Sequence, residues 1–296
     1  GRDMASDCMA HVRHGPPDLA AARQAPRRRV IVPQGIAAVA PALGGIVHRL
    51  AGQSMGTTWS VAFVAAPNCA LEPVRLAVQA ALDAVVAEMS PWLAGSAISR
   101  FNAAPARSWH RLPADFFKVL AYALQVADDS AGACDPCVGA LVDAWGFGPA
   151  QRHDGPDFSV PSADDIAAAL ACSGWQRLQV DAAARSVRQP GGLRIDLSAI
   201  AKGFGVDQVV HGLRRCGIVD CLVEVGGELR GEGLKPDGQP WWVALETPPH
   251  QEGEPLAIDE TLIALHGLSV ATSGDYRRWF EASGTRYSHT IDPRDG

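Results

Sequence analysis

Apolar periodicity switches repeatedly along this chain, and the order of those switches limits the folds open to it. "MGTTWSVAFVA", Met55 to Ala65, is rich in β-branched and aromatic residues and reads as a strand. "LEPVRLAVQAALDAVVAEMS" follows, with Val74, Ala77, Val78, Ala81, Leu82, Val85 and Val86 forming a stripe at helical spacing. "PADFFKVLAYALQVADDSAG", Pro113 to Gly132, has proline near its start and glycine past its end, the punctuation of a helix. "PSADDIAAALACSG" is another helical segment, opened by Ser162 with acidic residues in its first turn. "LQVDAAARSVRQPGGLRIDLSA" reads as a hairpin, and "IAKGFGVDQVVHGLRRCG" as a helix closed by basic residues and glycine. "VDCLVEVGGELRGEG", "PWWVALETP", "SVATSG" and "RYSHTI" read as sheet strands, and "FGPAQRHDGPDFSVPS" as a surface connection. Strands and helices mix without a regular βαβα alternation. The expected class is therefore α+β, with mixed or antiparallel sheets and packed helices.

At 296 residues the chain can bury a sizeable core, and 47% hydrophobic with 20% charged residues is an ordinary globular mix. A net charge of -6 supplies no basic field for a phosphate backbone, so nucleic acid is not an expected partner. No stretch reaches transmembrane length. Residues 1–48 are expected to form a disordered or extended arm: polar and Ala-rich through Pro26, then "RRRV" and an apolar run broken by Pro33 and Pro41. That run is not a clean signal peptide, and the chain begins at Gly1, so cytoplasmic and periplasmic locations both stay open. The seven cysteines suggest no disulfide framework. Cys134 and Cys137 form a C-x-x-C without the second pair or histidines that zinc needs, in a Gly- and Pro-punctuated turn. They are expected to be small buried or half-buried thiols.

The segment "IDLSAIAKGFGVDQVV" carries the most chemistry. A strand delivers Asp196, then Ser198 and Ala199 lead into a helix bearing Lys202, Gly203 and Gly205. Free N–H groups at a helix start, small side chains and a lysine one turn in make an anion cradle. The bland alternative is a tightly packed strand-to-helix turn. The glycine spacing is not that of a Walker loop. In "EVGGELRG" the paired glycines admit either a flat ligand or a β-bulge. "ATSGDYRR" offers Thr272, Ser273, Asp275 and Tyr276, a set most often found in a plain turn. His289 in "SHTIDP" suits proton transfer near neutral pH, or is structural. Trp92 in "MSPWLAGSAISRFN" can stack on an aromatic ligand or plug a core.

Taken in order, Met55-Gly56-Thr57, "SPWLAGSAISRFN", "DPCVGALVDAWGFGP", "DLSAIAKGFGVDQVV", "VEVGGELRGEG", "TSGDYRRWF" and "YSHTIDPRDG" resemble the successive signatures of the FAD:protein FMN transferases, the ApbE family. The resemblance runs from about Gly52 to Gly296. It implies an ApbE-like domain over residues 49–296, with FAD as substrate and Mg²⁺ as cofactor. It also implies transfer of FMN through a phosphoester to a serine or threonine of an acceptor flavoprotein, releasing AMP. Carried over by motif position, Met55 and Trp92 would contact the flavin, and Ala133, Cys134 and Asp135 would line the FAD site. Asp196, Lys202 and Thr290 match FAD-binding positions, Lys202 facing the pyrophosphate and Thr290 lying in a contacting strand. The Ala199 backbone carbonyl would ligate the metal, and His289 would deprotonate the acceptor hydroxyl. Asp275 and Glu228 are left as groups standing behind these.

This chain departs from the family pattern in places. Tryptophan stands at position 92 where the family often has tyrosine, and Cys137 stands where it usually has threonine. In the family a further strand and helix follow the "IDP" motif, with an aspartate and a threonine that ligate the metal. The sequence is accordingly expected to be cut before them, at the cost of activity. Two other readings remain open at this stage: a Mg²⁺-dependent FAD pyrophosphatase, and a flavin-binding protein without catalysis.

Overall fold

Helices and strands form where the two apolar periods lie. The computed structural model describes residues 28–36, 43–245, 260–275 and 277–296. In chain order its elements are β1 (Arg28–Ile31), β2 (Ile46–Ser54), β3 (Thr57–Ala65), α1 (Leu71–Met89), α2 (Ala97–Asn102), β4 (Trp109–Arg111), α3 (Ala114–Asp129), α4 (Gly139–Ala144), α5 (Ala163–Cys172), β5 (Gln179–Asp181), β6 (Ser186–Arg188), α6 (Ala201–Arg215), β7 (Cys221–Val225), β8 (Glu228–Glu232), β9 (Trp241–Leu245), β10 (Glu260–Leu265), β11 (Leu268–Val270), β12 (Trp279–Ala282) and β13 (Thr285–Ser288). The class is α+β, as the mixed periodicities predict. Ser162 caps α5 in a reciprocal box with Asp165, which explains why that short helix starts where it does.

The centre is a five-stranded antiparallel sheet in the order β11-β8-β7-β3-β2. Alternation along β3 sends Trp59, Val61 and Phe63 to one face, where they meet Val78 and Leu82 of α1 and Val206, Val209 and Leu213 of α6. Ala62 and Val64 point the other way, against Trp241, Ile263 and Leu265. That second face is covered by the three-stranded sheet β1-β10-β9, in which β1 runs parallel to β10. Each fully buried Phe63 or Leu82 contributes about 1.5–3 kcal/mol through burial. A further core joins the end of α1 to α2, α3 and the segment around Leu193 to Ala201.

Several elements fall outside the sequence reading: β1, β2, β4, β10 and β12, and the short helices α2 and α4. Arg28–Ile31, read as part of an extended arm, is paired in a sheet. Of "SVATSG", only Ser269 and Val270 belong to a strand, β11. Tyr276, the end of "PWWVALETP" and most of the N-terminal arm lie outside the described residues. Among the described residues no helix is long and apolar enough to cross a membrane.

Candidate active site

Two hairpin turns meet at one end of the five-stranded sheet. Met55 and Gly56 join β2 to β3, and Gly226 and Gly227 join β7 to β8; all of them have positive φ, the type I′ geometry that suits the twist of a hairpin. The turns touch. Gly226 N–H donates to the Thr58 carbonyl at 3.1 Å, and a Cβ on Gly226 would lie 2.8 Å from Thr57 Cγ2. Met55 is a costly residue in this conformation, and its side chain packs between the two helical cores, with Sδ 3.3 Å from where a Cβ on Gly205 would stand. A recess of about 490 Å³ lined by Gln53, Ser54, Gly56, Thr57 and Thr58 opens beside the turns.

The start of α6 reaches the same corner. Asp196 Oδ1 accepts from Ser198 N–H at 2.7 Å, turning the chain into the helix. Ile200 and Ala201 N–H both bond to the Leu197 carbonyl, and Phe204 N–H to that of Ile200. The anion cradle expected here is thus reduced to the N–H groups of Ala199, Lys202 and Gly203. Lys202 Nζ lies 2.9 Å from Glu228 Oε1, their side chains 34% and 17% exposed. The other oxygen, Glu228 Oε2, is buried and has no hydrogen-bond partner among the described residues.

Asp196 is set in place by groups that the sequence reading did not weigh. Asp196 N–H donates to the Pro136 carbonyl at 2.8 Å, and Gly139 N–H to the Arg194 carbonyl at 3.0 Å, so the 136–139 turn lies against the 194–196 segment. Asn102 grips the Ile195 backbone on both its N–H and its carbonyl. Gln189, fully buried, donates to the carbonyls of Phe101 and Leu193. Only the "RFN" ending of its motif hinted at Asn102, and nothing local marked Gln189.

Asp135 does more for the fold than for an open edge. Its Oδ1 accepts from Cys137 N–H at 2.7 Å and its Oδ2 from Trp175 N–H at 3.0 Å. Burial raises its pKa, and the two backbone donors pull it back. It fixes the turn that presents Ala133 and Cys134. Cys137 is fully buried while Cys134 is exposed, and both are free thiols; the expectation of a buried or half-buried pair is corrected for Cys134. Trp92, on the turn after α1, is 52% exposed, available for stacking rather than plugging the core.

His289 sits just past β13, half-buried. Its backbone N–H and its Nδ1 both reach the Arg278 carbonyl, at 3.0 and 3.2 Å. A carbonyl only accepts, so Nδ1 carries the proton and Nε2 keeps a free lone pair. Burial is the main cause that lowers its pKa; the charges of Arg278 and Lys202 act in the same direction, against the Arg278 carbonyl and Asp275. The hairpin carrying it is held by packed aromatics: Phe280 stacks on His153 and Tyr287, lies tilted to Phe147 and edge-on to Phe158, with centroids 5.2–5.7 Å apart. Thr290 is not in a strand, since β13 ends at Ser288; it is exposed, in a turn where its N–H donates to Ser288 Oγ at 3.2 Å.

The cation expected from the resemblance finds little to bind. Among the described residues no group of three or more His, Cys, Asp or Glu side chains gathers to hold a metal. The Ala199 carbonyl alone does not make the oxygen shell that Mg²⁺ requires.

This architecture is that of the solved flavinyl transferases. The apo Pseudomonas stutzeri flavinyl transferase ApbE matches with a TM-score of 0.74 at 37% identity, over 86% of this chain and 77% of that one. The flavin transferase ApbE from Vibrio cholerae matches with a TM-score of 0.74 at 33% identity, over 85% and 77%. The FAD:protein FMN transferase of Haemophilus influenzae is 36% identical over 256 residues, 84% of this chain and 72% of its own length. The protein of the same name from Klebsiella pneumoniae is 38% identical over 251 residues, covering 83% and 69%. The sequence pattern of the ApbE family matches residues 55–296. The chain belongs to the ApbE family.

Proposed function

We propose that this chain is a flavinyltransferase that moves FMN from FAD to a serine or threonine hydroxyl of an acceptor flavoprotein, releasing AMP. The observation that carries the chemistry is the orientation of His289, with Nδ1–H held by the Arg278 carbonyl and Nε2 left as the base. The acceptor oxygen attacks the phosphorus of the FMN half. The new P–O bond forms as the pyrophosphate bridge breaks, AMP leaves with the bridging oxygen, and the hydroxyl proton passes to Nε2.

Lys202 Nζ, with the Lys202 and Gly203 N–H groups, holds the pyrophosphate and neutralises its charge. Met55 and Trp92 contact the flavin, Ala133, Cys134 and Thr290 line the dinucleotide, and Asp135 and Asp196 fix the turns around it. Ala199 offers one carbonyl to Mg²⁺. The described residues do not by themselves complete a metal site.

The test is to incubate the chain with FAD, Mg²⁺ and an acceptor domain, following covalent flavin by in-gel fluorescence together with AMP. Covalent flavin that disappears in His289→Ala supports the proposal. Free FMN and AMP without labelled acceptor would make the protein an FAD pyrophosphatase. FAD recovered intact would make it a binding protein.

A further inference from the structure

Three buried side-chain polar atoms lack a partner among the described residues: Trp175 Nε1, Arg177 Nη1 and Glu228 Oε2. Only the last belongs to a side chain that also holds Lys202. A carboxylate oxygen kept from water without a donor is costly, and proteins retain such atoms where something else repays the cost. Glu228 is the first residue after the Gly226–Gly227 turn, which abuts the turn carrying Met55 and Gly56. Its negative charge disfavours a phosphate at Oε2, whereas Lys202 beside it favours one. The pair therefore sorts a dinucleotide: phosphates toward the ammonium, an uncharged donor-bearing portion toward the carboxylate.

We infer that Glu228 is a recognition residue whose Oε2 accepts a hydrogen bond from a hydroxyl or N–H of the riboflavin half of the ligand, while its Oε1 aims Lys202. This rests on the flavinyltransferase reading, and it assigns the carboxylate to the half that is transferred, because Glu228 directly follows the Gly226–Gly227 turn, which touches the turn that carries Met55.

Calorimetric titration of the wild type and Glu228→Gln with FAD, riboflavin and ADP as separate probes tests the inference. The amide keeps the size and can still face Lys202, but it presents an N–H group to the ligand's donor. Binding of FAD and of riboflavin should each weaken about tenfold or more, with ADP changed by less than about twofold. The same riboflavin loss should persist when Glu228→Gln is made in a Lys202→Met background. Riboflavin bound as tightly as by wild type, an effect confined to ADP, or a loss that vanishes without Lys202 would overturn the inference. Urea unfolding midpoints establish that the variant folds; if it does not, Glu228→Asp, which withdraws the charge by one methylene, must give the same ordering of probes. Wild-type protein that binds neither FAD nor riboflavin overturns the flavinyltransferase reading as well, whereas normal wild-type binding with an indifferent variant overturns this inference alone.

Discussion

Asn102 pairs with Ile195 as a neighbouring strand would: its Oδ1 accepts the Ile195 N–H at 2.8 Å and its Nδ2 donates to the Ile195 carbonyl at 2.9 Å. The residue that follows is Asp196, so a side chain at the end of α2 anchors the segment that leads into α6. Asn102→Ala leaves a donor and an acceptor unsatisfied beside a packed core. It should cost about 2–4 kcal/mol, read as a lower urea midpoint at unchanged m-value, and should weaken FAD binding with it. Asn102→Asp keeps the acceptor but turns the donor into a repelled oxygen, and should fold little better than the alanine variant.

The contact between the two hairpin turns makes a second prediction. Gly226→Ala places a side chain at φ +56° and drives it against Thr57, whereas Gly227→Ala, at φ +98°, meets nothing within 4 Å. Both incur backbone strain of about 1–3 kcal/mol, and only Gly226→Ala adds a clash. The position-226 variant should be the less stable in urea and should lose more covalent flavin labelling.

His289 has to be neutral to take a proton. With its folded pKa lowered from 6.5, mainly by burial, the acid limb of kcat/KM should fall below pH 6.5. Lys202→Met removes one of the charges that depress it and should move that limb upward. The sign for stability follows: between the two pKa values the unfolded chain binds more protons. The contribution of His289 is therefore present above pH 6.5 and lost as pH falls toward the folded value. Urea midpoints of wild type and His289→Gln across that window measure it.

The hairpin of β12 and β13 pairs only with itself among the described strands, and such a ribbon is marginal alone. Phe280 joins it to Phe147, His153 and Phe158. Phe280→Ala should ease local opening by about 2 kcal/mol, seen as roughly 30-fold faster amide exchange in 279–288, with a smaller change in the global midpoint.

Much of this fold could be read from local pattern. Of the stripe from Val74 to Val86, Val74, Val78, Leu82 and Val85 became the buried face of α1, and Ser162 with its acidic neighbours became a capping box. The pairing of β1 with β10 could not, because a few residues of either carry no period of their own and become a strand only beside a distant partner. At the site, Lys202 and His289 stood out by residue type. Asp135 also stood out by its place in a motif, but sequence could not show that each of its oxygens accepts a backbone N–H, from Cys137 and from Trp175. Glu228 was hard to weigh for the opposite reason: what distinguishes it is a missing partner, which only geometry displays. Thr290 lies two residues past the strand that was expected to contain it, in a turn closed by Ser288.

One carbonyl, that of Arg278, receives both the main chain and the ring of His289. The imidazole is therefore hitched to the opposite arm of its own hairpin and cannot swing without letting go of it. Aiming the base and moving the hairpin become a single motion, so a partner protein that presses on the stretch before β12 would steer proton transfer without touching the histidine.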